Sequence, residues 1–141
     1  MPEKQTIERA RRDAREGKSA STQAGEFVRE EIHHVREGKH GARSAKQAIA
    51  IGLSKARRAG VKLPAPAKGT ASRSTRKKAA SDLRAGQHPR HKTSATRTRA
   101  RAATKALEKE PRQAASKKAL SRHARQTARG RSSRRTKSSK R

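Results

Sequence analysis

Large apolar residues recur at helical spacing in the first half of this chain and almost vanish from the second. Val28, Ile32 and Val35 fall at i, i+4 and i+7, with Ala24 and Phe27 beside them, and predict a helix over 22–37 that Gly38 stops. Ala45, Ala48, Ile49, Gly52, Leu53 and Ala56 share one face of a second helix over 45–59. Its start reads as a capping box, Ser44-Ala-Lys-Gln47. Lys55, Arg57 and Arg58 crowd its last turn, where cations suit the helix dipole, and Gly60 ends it. A weaker helix over 3–16 has Ile7 as its one strong anchor. It adds pairs such as Glu8–Arg12 and Arg9–Asp13, each worth about 0.2–0.5 kcal/mol.

These elements predict a mostly α protein whose residues 1–63 form a small helical hairpin or three-helix module. Ala45, Ala48, Gly52 and Ala56 let helices approach closely, over a core of Phe27, Val28, Ile32, Val35, Ile49, Leu53, Val61 and Leu63. Burying such side chains gives about 1.5–3 kcal/mol each. Ordering the backbone costs about 1–2 kcal/mol per residue. The balance is near zero, so a homo-oligomer through residues 22–60, or a bound ligand, is expected to complete the unit.

Pro64 and Pro66 favour an extended break. Beyond it the only branched aliphatics are Leu83, Leu107 and Leu120. Residues 64–94, with Gly69, Gly86 and Pro89, read as a flexible linker. Residues 95–141 read as a basic Ala/Lys/Arg-rich tail, largely disordered and helical only when a polyanion neutralises it.

Charge sharpens this division. The formal net charge is +29 on 141 residues. Residues 1–66 hold 15 Lys and Arg against 8 Asp and Glu, whereas residues 67–141 hold 25 against 3. Such a density is expected to collect a polyanion, driven by counterion release from a phosphate backbone. Only 28% of residues are hydrophobic, too few for a large core. The chain has no cysteine, which excludes disulfides, Cys-based zinc sites and thiol catalysis. No apolar run approaches a membrane span, and the opening MPEKQTIERARRDAREG lacks the apolar core of a secretory signal.

The run GKHGARSAKQAIAIGLSKARRAGVKLP, Gly38 to Pro64, and the preceding EEIHHVRE resemble the signature of a family of small basic bacterial proteins of unknown function. The later EPRQAASKKALSRHARQTAR is similar to tails in that family. The resemblance implies a bacterial source and no particular activity. By composition alone, the tail also resembles the arms of linker-histone-like nucleoid proteins.

The sharpest local candidate is a phosphate seat in the Gly38–Ser44 loop, where two glycines feed a helix N-terminus amid Lys39, His40, Arg43 and Lys46. The plain alternative is a turn carrying solvated basic residues. Further phosphate contacts are expected at Arg57, Arg58, Arg73, Arg76, Lys77, Lys78, Arg97, Arg99, Arg101, Arg131, Arg134 and Arg135. No metal site is expected, because adjacent His33 and His34 point to different helix faces and no carboxylates cluster in the sequence. The sparse acids read as solvated helix-surface residues, and no G-x-S-x-G elbow exists, so no enzyme and no cofactor is expected. Phe27 alone offers no stacking platform for single strands.

The expected function is sequence-nonspecific DNA binding of a nucleoid-associated, histone-like kind in a bacterial cytoplasm, with no membrane partner. RNA or ribosome association is the first alternative. A helix-turn-helix regulator reading through residues 45–59, or a protein-interaction module over 22–60, are the others.

Overall fold

The computed structural model describes residues 2–91 and 93–138 and is mostly helical. The helices are α1 (Lys4–Arg15), α2 (Ala20–Glu37), α3 (Ala45–Arg58), α4 (Arg73–Gln87), α5 (Ser94–Glu108) and α6 (Lys117–Ser138). A 3-10 turn at Gln113–Ala115 joins the last two. The three helices expected in the first half are present, with ends within two residues of the sequence reading.

Hydroxyl caps punctuate the chain. Ser19, Ser44, Ser72, Thr93 and Ser116 each accept the backbone N–H three residues on, at 3.1–3.2 Å. Each such cap is worth about 1 kcal/mol to its helix. Only half of the expected capping box closes. The Gln47 side chain accepts from the Arg43 N–H at 2.7 Å instead of reaching the amide of Ser44. Gly38 ends α2 at φ 79°, where the Lys39 N–H reaches back to the His34 carbonyl at 3.0 Å.

Helix α2 packs on α1 and α3, and α3 packs on α2 and α4. One buried cluster joins Ala10, Ala24, Phe27, Ala56 and Val61, edged by Ile7, Ala20, Leu53 and Leu63. A second joins Val35, Ala42, Ala48, Ala114 and Ala115, edged by Ile32. Of the expected core, Phe27, Val35 and Val61 are buried, while Val28, Ile32, Ile49, Leu53 and Leu63 sit at its margin. Alanines fill the remainder because the helices run close. A Cβ on Gly52 would lie 2.6 Å from the Val28 Cα.

Two expectations need correction. The segment 64–94 read as a flexible linker contains α4, docked on α3. Its buried residues are Ala79 and Asp82, not an apolar stripe, so hydrophobic periodicity did not mark it. At Gly86 the approach leaves no room for a side chain, since a Cβ would sit 1.9 Å from the Arg57 carbonyl oxygen. The tail read as largely disordered is likewise helical over α5 and α6. Its Ala, Arg and Lys are strong helix formers, and Thr93 and Ser116 cap them. The expected tail residues 139–141 lie outside the described residues.

Candidate nucleic-acid interface

The Gly38–Ser44 loop is closed by its own chain. The Gly41 N–H donates to the Leu107 carbonyl at 2.7 Å, and the Ala42 N–H to the Pro111 carbonyl at 3.0 Å. A Cβ at position 41 would fall 1.7 Å from the Glu110 carbonyl oxygen, so only glycine admits this docking. The Arg36 guanidinium adds a bond to the Ala115 carbonyl at 2.9 Å. Two of the loop's amides are thus bound to backbone carbonyls, and a third, that of Arg43, is bound to the Gln47 side chain.

The basic side chains of the loop are paired as well. Lys39 lies 3.3 Å from Glu3 and 3.4 Å from Glu37, which hold its ammonium pKa above the ordinary value. Arg43 faces Glu110 at 3.7 Å, and His40 faces buried Glu31 at 3.0 Å. Lys46 remains exposed and has no carboxylate partner among the described residues.

The end of α3 is structural. Arg57 is buried and donates to the Leu63 and Pro64 carbonyls at 3.1 and 3.2 Å. Burial pulls its pKa below the usual guanidinium value, and the charge of Asp82 opposes that. Arg58 pairs with Asp82 at 2.7 Å, and the Ser54 hydroxyl donates to the other Asp82 oxygen at 2.7 Å. Both arginines are engaged within the fold. With α2 and α4 packed on it, α3 leaves only Lys46, Ala50 and Arg58 exposed, a poor reading face for a helix-turn-helix.

The remaining candidates form an open cationic surface. On α4, Arg73, Lys77 and Lys78 are exposed, while Arg76 is half-buried with a bond to the Pro66 carbonyl at 3.2 Å. Helix α5 buries none of its residues and exposes Arg97, Arg99 and Arg101. Helix α6 exposes Arg131, Arg134 and Arg135 at i, i+3 and i+4, one face of a helix. None of these nine exposed cations meets a carboxylate among the described residues. Like charges at such spacing weaken a helix by a few tenths of a kcal/mol, a penalty that a polyanion relieves.

One cluster was missed. The acids of α2 are not all solvated, because Glu30 and Glu31 are buried. Glu3 and Glu30 approach His34 from one side, Glu31 and His40 from the other, so carboxylates do cluster around a histidine. Hydrogen bonds from His34 and Lys39 hold the Glu3 carboxyl below the usual carboxylate range. These residues could hold a metal ion. The signal was the spacing Glu30-Glu31-Ile-His-His34, which stacks acid and imidazole one helical turn apart.

Residues 3–68 match the model of a family described as a family of unknown function (DUF6496). No curated protein and no solved structure matches the chain. The match spans α1 to α3 and the acid–histidine cluster. It excludes α4, α5 and α6. The run Glu110 to Arg129, which resembled a family tail, falls outside it. Among the described residues no helix is long and apolar enough to cross a membrane.

Proposed function

We propose that the chain binds nucleic acid, DNA foremost, by sequence-indifferent neutralisation of backbone phosphates. The exposed faces of α4, α5 and α6 make the contacts, in a histone-like, nucleoid-associated role within a bacterial cell. One observation carries this reading: α5 buries nothing and its arginines meet no carboxylate, while carboxylates pair with Lys39, Arg43 and Arg58 elsewhere. An unpaired cationic helix with no core to support is suited to coating a phosphate string. Aromatic stacking has no part in it, since Phe27 is buried.

The test is fluorescence anisotropy of the full chain on random-sequence duplex DNA at several salt concentrations. With six or more phosphate contacts, the log–log slope should be about −5 or steeper. Replacing Arg97, Arg99 and Arg101 together by Gln should make it shallower by about 2.7, at about 0.9 per contact. The triple change at Arg131, Arg134 and Arg135 should do the same, and Arg57→Gln should leave the slope alone. A slope near zero removes the proposal. An RNA duplex that outcompetes DNA by about tenfold or more replaces DNA with RNA as the partner.

A further inference from the structure

We propose that Glu31, His34 and His40 bind a divalent first-row transition ion of the zinc class, fastening α2 to the loop that follows it. Glu31 and His34 lie one turn apart on α2, and His40 follows the left-handed turn at Gly38. One donor atom from each lies within 4.8 Å of the others. Glu31 Oε2 and His40 Nε2 are 3.0 Å apart. Two ligands on one tetrahedral ion sit about 3.3 Å apart when its bonds are about 2.0–2.1 Å.

Both rings are held as metal-bound histidines are held, with the outer nitrogen on an acceptor and the inner one facing the ion. His40 Nδ1 lies 3.0 Å from the Gly41 carbonyl oxygen, which only accepts, so this nitrogen carries the hydrogen. In the neutral ring Nε2 is then a lone pair turned toward Glu31. His34 Nε2 lies 3.0 Å from Glu3 Oε1, another acceptor, which leaves Nδ1 as the lone pair, 3.8 Å from Glu31 Oε1.

A second, independent observation is the orphaned carboxylate. Glu31 is fully buried, yet its Oε2 has no hydrogen-bond partner, because the His40 contact is not aligned as N–H···O. Buried Glu30, on the other side of His34, also leaves its Oε2 unpartnered. Lys55 donates to the other Glu31 oxygen and does not satisfy Oε2. Buried polar atoms without partners are rare and costly, and a cation is the partner that the Glu31 carboxylate and the two imidazole lone pairs would share. Imidazole with carboxylate and no thiolate suits zinc or cobalt better than calcium or magnesium. A small alanine-rich core is the kind of unit that a metal staple stabilises.

The test titrates the full chain, first stripped by a chelator, with Zn²⁺ alone in a calorimeter. The expected result is one ion per chain, a Kd below about 1 μM, and a higher Tm. His40→Ala should weaken zinc by about 100-fold or more. Glu3→Gln weakens the outer bond of His34 and the surface pair with Lys39, at an exposed position away from the core, and should weaken zinc by about 10–100-fold. His91→Ala, outside the cluster, should bind like the parent. If His40→Ala fails to fold, Glu3→Gln and the stoichiometry decide. No zinc uptake by the parent leaves His40 a simple contact of Glu31 and overturns the site. Binding unchanged in Glu3→Gln and His40→Ala, or lost in His91→Ala, overturns it equally.

Discussion

Lys39, Arg43 and Arg58 look no different in the sequence from Arg97, Arg101 and Arg131, yet the structure treats the two sets oppositely. The first set faces Glu3, Glu110 and Asp82 across element boundaries. The second set stands on exposed helices and meets no carboxylate among the described residues. A cation is therefore assigned by its partner, not by local charge density. The acids are few, and most of those with ion pairs are spent inside residues 3–91 or where residues 107–115 dock. Helices α5 and α6 supply cations in excess of any acid to meet them.

If that contrast holds, stability and phosphate affinity should separate under mutation. The largest effect is expected at Phe27, which is 1% exposed and central to the first cluster. Phe27→Ala should cost about 3–5 kcal/mol, read from urea unfolding by circular dichroism. The salt slope on DNA should stay as it was, since the proposed contacts lie on the exposed faces of α4, α5 and α6 and not in this cluster. A slope that collapses together with the fold would break the contrast and make binding a property of the folded helices.

Gly41→Ala comes next. Its Cβ would collide with the Glu110 backbone, which has no flexible end to yield. Overpacking of this kind costs about 1–3 kcal/mol, sometimes more. The Leu107 and Pro111 carbonyls should then release their amides, and hydrogen exchange at the Ala42 N–H should quicken while Ala24 and Phe27 stay protected. Uniform protection after the change would mean that residues 107–115 are not docked as described.

These effects also show what sequence alone could and could not convey. Helices α1 to α3 followed from Val28, Ile32, Val35, the Ser44 cap and Gly38, because there local propensity and apolar spacing agree. Helix α4 did not, since it docks through Asp82, Ala79 and Gly86, and period-seeking arguments ignore a carboxylate and a glycine. Its cap was nonetheless readable, as Ser72 stands three residues before Thr75 much as Thr93 stands before Thr96. The closure of the Gly38–Ser44 loop was not legible, because its partners, the Leu107 and Pro111 carbonyls, lie more than 60 residues away in sequence. Burial of Glu30 and Glu31 also depends on distant partners, Glu3, His40 and Lys55.

Rarity was the better signal. Asp82 is one of 3 acids among 25 basic residues after position 66, and a lone acid in such company has a specific cation to meet. It meets Arg58 at 2.7 Å and the Ser54 hydroxyl at 2.7 Å while itself 3% exposed. Asp82→Asn keeps the shape and removes the charge. The Arg58 side chain is 62% exposed and returns to water easily, so the loss is modest. About 1 kcal/mol is expected, drawn mainly from the weakened bonds at the buried carboxylate. Amide exchange should rise along α4 and leave α2 unaffected. Arg58 then gains the freedom of the exposed cations, and the DNA salt slope should steepen by up to about one contact's worth, 0.9. Destabilised α4 with an unchanged slope would show that loss of its acid does not by itself turn a paired arginine into a phosphate contact.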